Sequence, residues 1–136
     1  MTTHYLPHLL PIPALSITLS APGERPWLGP MAVILDTGAD MTLMPAQLLR
    51  QLRVHPLGEG RLRGPWGDTH DVTLYLIDVQ VSQLLLPDVQ VASDEAAEDV
   101  ILGRNVLNKL PLFLDGPQQQ TEVLDDATVQ RLRARR

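Results

Sequence analysis

Asp36, followed by Thr37 and Gly38, is the residue whose position in the chain most clearly suggests chemistry. The four apolar residues before it, 32–35, predict a buried strand that stops at the acid, and Gly38 predicts a turn. A carboxylate at such a turn is expected in a partly dry site, where free backbone N–H groups can bond to it. The Asp-Thr-Gly sequence occurs once in the chain. Any chemistry that requires two such acids therefore requires two chains.

Other kinds of site have little support in the residue types. The chain has no cysteine, which excludes disulfides and thiolate metal sites. The histidines lack metal-ligand spacing, and Pro7 between His4 and His8 opposes a helix that would bring those two together. Neither a nucleotide-binding loop with the correct glycine spacing nor a Gly-x-Ser-x-Gly nucleophile motif is present. We therefore expect neither a metal nor a cofactor.

The composition indicates an ordinary globular protein. The length of 136 residues fits one domain, and 44% apolar residues predict a packed core. The formal net charge of −5 argues against nucleic-acid binding. Residues 9–19, the longest apolar stretch near the start, are interrupted by Pro11 and Pro13 and are too short to span a bilayer. Because no Lys or Arg precedes Arg25, a secretory leader is not expected, and we predict a cytoplasmic protein.

Short strands are predicted on both sides of Asp36. Apolar and polar residues alternate strictly over residues 14–20, which indicates a half-buried strand, and residues 31–35 form the next one. Residues 45–52 predict a short helix, with Pro45 in its first turn, where a missing N–H does no harm.

A hairpin is predicted next along the chain. Its arms are residues 59–63 and 72–81, and its tip is the segment 64–68. The apolar face of the second arm changes between Leu76 and Ile77. Such a one-residue slip predicts a bulge, or a long strand that serves two packing surfaces.

The rest of the chain continues as short elements. Residues 84–91 and 100–102 predict strands, residues 104–110 predict a second short helix, and a closing hairpin lies within residues 111–124. We divide the chain into an N-terminal arm, a domain and an Arg-rich C-terminal tail: 1–13, 14–125 and 126–136. Mostly short strands with two short helices predict an all-β domain that forms a small closed β-barrel.

With both motifs placed, the chain resembles the retropepsin-like aspartic proteases. Asp-Thr-Gly-Ala-Asp at residues 36–40 is similar to their catalytic loop. Val-Ile-Leu-Gly-Arg-Asn at residues 100–105 is similar to their second motif, and a hairpin like their flap lies between the two. The resemblance covers about residues 14–115, and it implies a barrel with one flap per chain.

The resemblance implies an aspartic endopeptidase that is active as a homodimer. Two Asp36 carboxylates would meet at a two-fold axis and share one proton, because both cannot be charged at that distance. The pair would activate a water molecule that attacks the peptide bond, without a covalent intermediate. Peptides or proteins are then the substrates.

The resemblance also assigns supporting residues. Thr37 would bond across the interface, Gly38 would allow close backbone approach, and Ala39 completes the loop. Asp40 and Arg104 would form a structural ion pair. If that pair is buried, losing one partner costs roughly 3–5 kcal/mol, and Arg104→Ala would unfold or monomerise the protein.

The predicted flap tip comprises Gly64, Pro65, Trp66 and Gly67, and it has fewer glycines than retroviral flaps. Trp66 either covers the substrate or packs on its own hairpin. The helix after Met44 and the closing hairpin are more similar to bacterial and cellular members. Retroviral termini build much of the dimer interface, and here the termini differ.

Two alternatives to a general protease remain open. The same dimeric fold could be a non-catalytic peptide- or protein-binding module, since fold does not fix function. The dimer could also process only its own Pro-rich arm. The Arg-rich tail is interpreted either as a frayed, solvated end or as a contact for an acidic partner or membrane surface, and we favour the former.

Overall fold

The computed structural model describes residues 1–64 and 66–135. Within these residues the chain forms strands and helices with the following bounds: β1 (Thr2–His4), β2 (Ala14–Ser20), β3 (Leu28–Leu35), β4 (Thr42–Pro45), α1 (Ala46–Leu52), β5 (Gly58–Arg63), β6 (Thr69–Val81), β7 (Leu84–Asp94), β8 (Ile101–Leu102), α2 (Arg104–Leu107), β9 (Leu112–Asp115), β10 (Gln120–Val123) and α3 (Asp126–Ala134). The expected all-β architecture is confirmed.

Six strands close into a barrel, as the sequence predicted. Their order is β2-β3-β8-β4-β7-β6, and β6 pairs back onto β2 to complete the ring. Strand β5 pairs only with β6, so the β5–β6 hairpin projects from the barrel. The most deeply buried side chains come from these barrel strands and from α2: Leu15, Ile17, Leu19, Val33, Met44, Ile77, Val79, Val81, Val91, Leu102 and Val106.

The slip predicted in the long strand is confirmed. The pairing of β6 with β7 is irregular between Ile77 and Val79, so the carboxylate of Asp78 turns inward and is buried. Its two oxygens accept hydrogen bonds from the backbone N–H groups of Gly23 (3.0 Å) and Asp88 (2.9 Å). Asp78 thus joins the loop between β2 and β3 and the strand β7 to β6, a role that alternation alone could not reveal.

The N-terminal arm contains a strand that the sequence did not predict. β1 pairs with β10, with Thr3 opposite Thr121, and β10 in turn pairs with β9 to give a separate three-stranded sheet. The Thr3 hydroxyl also accepts a hydrogen bond from the backbone N–H of Ser16. The sequence separation between β1 and β10 explains why local periodicity gave no sign of this pairing.

The Arg-rich tail contains a helix rather than a frayed end. Asp125 caps α3 by accepting a hydrogen bond from the backbone N–H of Thr128 (2.7 Å). This bond, followed by the bond with the Thr128 side chain, lowers the pKa of Asp125 from its ordinary value of 3.8. Arg131 and Arg133 lie in the last turn, where cations favour the helix dipole. The cap and these charges favour the helix, and α3 has no buried residue.

Candidate active site

The loop that carries Asp36 is anchored where two parallel strands end. Strand β3 pairs in parallel with β8, and the backbone N–H of Asp36 donates to Leu102 O (3.0 Å) just beyond β3. The Asp36 side chain accepts a hydrogen bond from the backbone N–H of Gly38 (2.9 Å), and Ala39 N–H closes the turn onto Asp36 O (3.2 Å). The turn chemistry expected from Asp followed by Gly is therefore present.

Asp36 is exposed in the single chain, together with Thr37 and Gly38. The expectation of a partly dry site is wrong for one chain. Burial ends with Val33 and Ile34 inside the barrel, whereas the acid lies beyond the end of the strand. The described residues of one chain provide the loop and its backbone bonds, but no surface that covers the carboxylate.

Arg104 holds the Asp36 loop through three contacts. Its guanidinium donates to Thr37 O (2.8 Å) and forms an ion pair with Asp40. Its backbone N–H donates to Ala39 O (2.8 Å). The second motif therefore fixes the first at the start, middle and end of the turn.

The ion pair between Arg104 and Asp40 is not buried in the single chain. Their side chains are 42% and 85% exposed, respectively. An exposed pair contributes about 0–1 kcal/mol, well below the loss expected for a buried pair. The prediction that Arg104→Ala unfolds the protein assumes a buried ion pair, and the pair is not buried in one chain. The main effect of Arg104 is therefore expected on the position of the loop.

A polar network behind the loop was missed from the sequence. The buried Thr42 hydroxyl and its backbone N–H both donate to the side-chain oxygen of Asn105 (2.9 and 3.0 Å). The Thr42 hydroxyl accepts from Gly103 N–H (3.2 Å), and the Asn105 amide donates to Gln90 O (2.8 Å). Asn105 was recognised as part of the second motif, but no local signal identified Thr42 as its partner.

Gly103 is required by close packing between the two motifs. A Cβ atom at this position would lie 2.6 Å from both the carbonyl carbon and the oxygen of Met41. Real Cβ contacts with backbone are not that short, so any side chain would push the two segments apart. This contact explains why the apolar strand of the second motif is followed by glycine.

The flap tip is a tight turn with an outward tryptophan. Gly64 N–H donates to Asp68 O (2.7 Å), and Gly67, whose φ is +82°, donates to Gly64 O (3.0 Å). Trp66 is 93% exposed, so packing on its own hairpin, one of the two interpretations, is wrong for this chain. The predicted contact residue Pro65 lies outside the described residues.

The Asp36 loop and the flap border one groove. Its volume is about 390 Å³. Both carboxylates of the loop and a mixed set of apolar and arginine side chains line it: Asp36, Gly38, Ala39, Asp40, Met41, Leu43, Arg61, Leu62, Arg63 and Ile101. Asp36 and strand β5 therefore line the same groove.

Neither a metal cluster nor a membrane-spanning helix is found in the part of the chain that the structure describes. No three His, Asp or Glu side chains of residues 1–64 and 66–135 are grouped so that they could hold a metal ion. No helix within the same residues is long and apolar enough to cross a membrane.

The chain belongs to the family described as gag-polyprotein putative aspartyl protease, whose model matches residues 29–109. The matched range contains the Asp36 loop, the flap hairpin and the second motif. No curated protein sequence is significantly similar to the chain. The resemblance inferred from the two motifs is confirmed by this match.

Solved structures of retropepsin type share the fold. The EIAV protease, in complex with the inhibitor HBY-793, has a TM-score of 0.58 and 18% identity, over 76% of this chain and 92% of that one. A retropepsin-like aspartic protease from Rickettsia conorii has a TM-score of 0.60 and 9% identity, over 89% and 88% of the two chains. The retroviral protease-like domain of Ddi1 from Leishmania major has a TM-score of 0.50 and 15% identity, over 82% and 89%. The chain therefore has a retropepsin-like fold.

Proposed function

We propose that the protein is an aspartic endopeptidase, active as a homodimer, in which one Asp36 from each chain forms the catalytic pair. The observation that carries the proposal is the exposed Asp36 on a braced loop, which faces the same groove as a flap hairpin. Since the chain has one Asp-Thr-Gly sequence, a second carboxylate has to come from a second copy. Membership of an aspartyl protease family supports the same chemistry.

The proposed reaction is attack of water on the scissile carbonyl. The ionised Asp36 takes a proton from the water molecule, and the oxygen of that water forms a bond to the carbonyl carbon. The protonated Asp36 of the other chain bonds the carbonyl oxygen, which becomes a hydroxyl in the tetrahedral intermediate. The C–N bond then breaks as the leaving amine gains a proton. The proton shared between two adjacent carboxylates belongs to the pair and not to either residue.

The other loop residues position the pair. Thr37 bonds across the interface, and Gly38 and Ala39 keep the turn narrow enough for the substrate backbone to approach. Asp40 and Arg104 hold the loop against the second motif, as their ion pair and the bond to Thr37 O indicate. None of these five residues requires a bound ion for its role.

The substrate lies as an added strand beneath the flap, where alternate side chains enter pockets. Gly64, Pro65, Trp66 and Gly67 form the covering tip in this proposal. The apolar residues Leu43 and Ile101 in the groove favour hydrophobic side chains next to the cut. The indole of Trp66 is 93% exposed, which supports a covering role because its surface is available to another molecule.

The test is cleavage of a diverse peptide pool by the wild type and by Asp36→Asn, from acidic to neutral pH. We expect cuts by the wild type alone, with a bell-shaped pH dependence, because one acid and one base act together. Circular dichroism and sedimentation of both proteins provide the control for fold and assembly. Asn at position 36 retains the size of the side chain, so a folding defect is not expected.

A folded, dimeric wild type that cuts no peptide at any pH would contradict the protease proposal. It would favour the non-catalytic binding module, and peptides retained by the Asp36→Asn protein would then be retained equally by the wild type. Cuts confined to residues 1–13 would instead indicate an enzyme that processes only its own arm.

A further inference from the structure

Two consecutive leucines near the N-terminus have almost no contact with the rest of the chain. Leu9 is 102% exposed and Leu10 is 81% exposed, more than nearly every other large apolar side chain. They lie at the tip of residues 7–11, which we name the dileucine loop. Adjacent apolar side chains held fully in water indicate an interaction surface, since their burial against a partner is favourable.

The dileucine loop is held in shape by its own backbone. Leu6 and Ile12 exchange two hydrogen bonds, N–H to O at 3.0 and 3.1 Å, and His8 N–H also donates to Leu6 O (3.0 Å). Pro7 and Pro11 restrict the chain further within this closed base. A braced loop loses little conformational entropy when it docks, so its leucines are preorganised for contact.

The loop leaves the barrel next to the catalytic motif. Antiparallel pairing places Ala14 opposite Ile34, and Leu35 N–H donates to Pro13 O (3.1 Å). Residues before position 13 therefore lie beside residues after position 35. The dileucine loop and Asp36 emerge at the same edge of the barrel, within a few residues of these two contacts.

We propose that the dileucine loop packs against a second copy of the chain and stabilises the dimer that brings the two Asp36 residues together. This inference rests on the proposed function, which requires a second copy at this edge. Strand β1 pairs with β10 of its own chain, so the proposed contact does not require the N-terminal strand. In a two-fold symmetric dimer the same contact forms twice, once from the loop of each chain.

Other exposed apolar pairs provide matched comparisons. Leu84 and Leu85 are consecutive and about half exposed, and Leu84 borders a different cavity, next to α3. Phe113 and Leu114 lie on β9, the edge strand of the separate sheet. Neither pair is hydrogen-bonded to the strand ends at residues 13–14 and 34–35, which lead to the dileucine loop and to Asp36, so neither is expected to control association there.

The experiment measures dimer dissociation by sedimentation velocity over a concentration series. All proteins carry Asp36→Asn, so that self-cleavage cannot alter them. Leu9→Ser with Leu10→Ser is compared with Leu84→Ser with Leu85→Ser and with Phe113→Ser with Leu114→Ser. Thermal unfolding monitors the fold of each variant. We expect only the dileucine variant to raise the dimer Kd, by at least about tenfold, because each chain loses two leucines that the dimer would bury.

A dileucine variant whose Kd equals that of its parent overturns the inference, as does an equal loss of affinity in either control variant. A parent that is monomeric at every concentration overturns it as well, together with the dimeric part of the proposed function. If the parent does dimerise, the results distinguish this inference from the proposed protease function. Loss of dimer in the dileucine variant supports the inference even if no peptide is cut, whereas peptide cleavage with an unchanged Kd overturns the inference alone.

The same variant in the wild-type Asp36 background separates docking from catalysis. If the loop acts through assembly, activity per chain is low when the protein is dilute and returns to the parental value at high concentration. Activity that stays low after the dimer has formed would overturn an assembly role. Cleavage of the wild type between residues 7 and 11, with an unchanged Kd for the variant, would identify the loop as a substrate and also overturn it.

Discussion

Arg104 contacts three different parts of the Asp36 loop, and only one of these contacts is the ion pair with Asp40. The bond to Thr37 O reaches the residue next to the acid, so the guanidinium determines where the loop sits. Since the pair itself is exposed, its Coulomb energy is screened by water. The side chain therefore contributes more to geometry than to folding.

Arg104→Ala is expected to lower the free energy of unfolding by only about 1 kcal/mol, the value of one hydrogen bond and a surface ion pair. Peptidase activity should fall by about a hundredfold, because a displaced loop misplaces the catalytic acid. Urea unfolding and kcat/KM provide the two readouts. Arg50→Ala, which removes an exposed ion pair with Glu95 that does not line the groove, is the matched control. Equal activity losses in both variants would contradict the positioning role.

At the scale of elements, the β5–β6 hairpin projects from the barrel and carries Trp66 at its tip. An indole that is 93% exposed contributes little to the folded chain, so any role it has depends on contact with another molecule. The chain has one other tryptophan, Trp27, which is 54% exposed. This makes the two indoles a natural comparison.

Trp66→Ala should leave the unfolding free energy unchanged and lower kcat/KM by about tenfold, the loss expected when an aromatic contact with substrate is removed. Trp27→Ala serves as the control and should keep its activity. Tryptophan emission supplies an independent measurement. In a Trp27→Phe and Asp36→Asn protein, peptide should shift the emission of Trp66 to shorter wavelength, and an unshifted spectrum at saturation would rule out a covering role.

The cap of α3 gives a pH-dependent prediction for the C-terminal element. The backbone N–H of Thr128 holds the pKa of Asp125 below its ordinary value of 3.8. A lowered folded pKa means that the cap stabilises the helix fully above that ordinary value. The stabilisation is then lost as the pH falls through the lowered folded value. Amide exchange at Thr128 should accelerate in that acid range.

Two substitutions at position 125 test this assignment. Asp125→Ala should give fast exchange at Thr128 at every pH, because the acceptor is absent. Asp125→Asn should protect Thr128 without the acid transition, since the amide oxygen caps the helix and does not titrate. A transition that persists in Asp125→Asn would assign it to another group.

At the scale of the whole molecule, one chain forms a closed barrel, but its candidate site is exposed to solvent. Its Asp36 loop and strand β5 border a groove, yet Asp36 is exposed. The proposed function makes each chain half of an active unit. Activity should therefore depend on which chains pair, and not only on how many active chains are present.

Mixing the wild type with a ninefold excess of Asp36→Asn should reduce its activity to about one-tenth once the chains have exchanged, because most wild-type chains then pair with an inactive partner. The measurement is peptide cleavage at a fixed wild-type concentration. The same excess of an inert protein is the control. Unchanged activity after prolonged mixing would contradict a site built from two chains.

The sequence by itself determined the features that depend on neighbouring residues. Alternation predicted β2, the apolar runs predicted the strands before Asp36 and Gly103, and the shift at Leu76 and Ile77 predicted the irregularity in β6. Strand and turn preferences are local, so the order of elements and the family could be inferred from periodicity and two short motifs.

Only the tertiary structure decided which groups are buried and which distant segments meet. β1 pairs with β10 across nearly the whole chain, Thr42 bonds to Asn105, and the carboxylate of Asp78 is enclosed. None of these contacts leaves a periodic signal, because each joins residues far apart in sequence. Exposure of Asp36 and Trp66 likewise depends on what packs beside them. Among the described residues of one chain, nothing covers either side chain, and in the proposed function a second molecule does so.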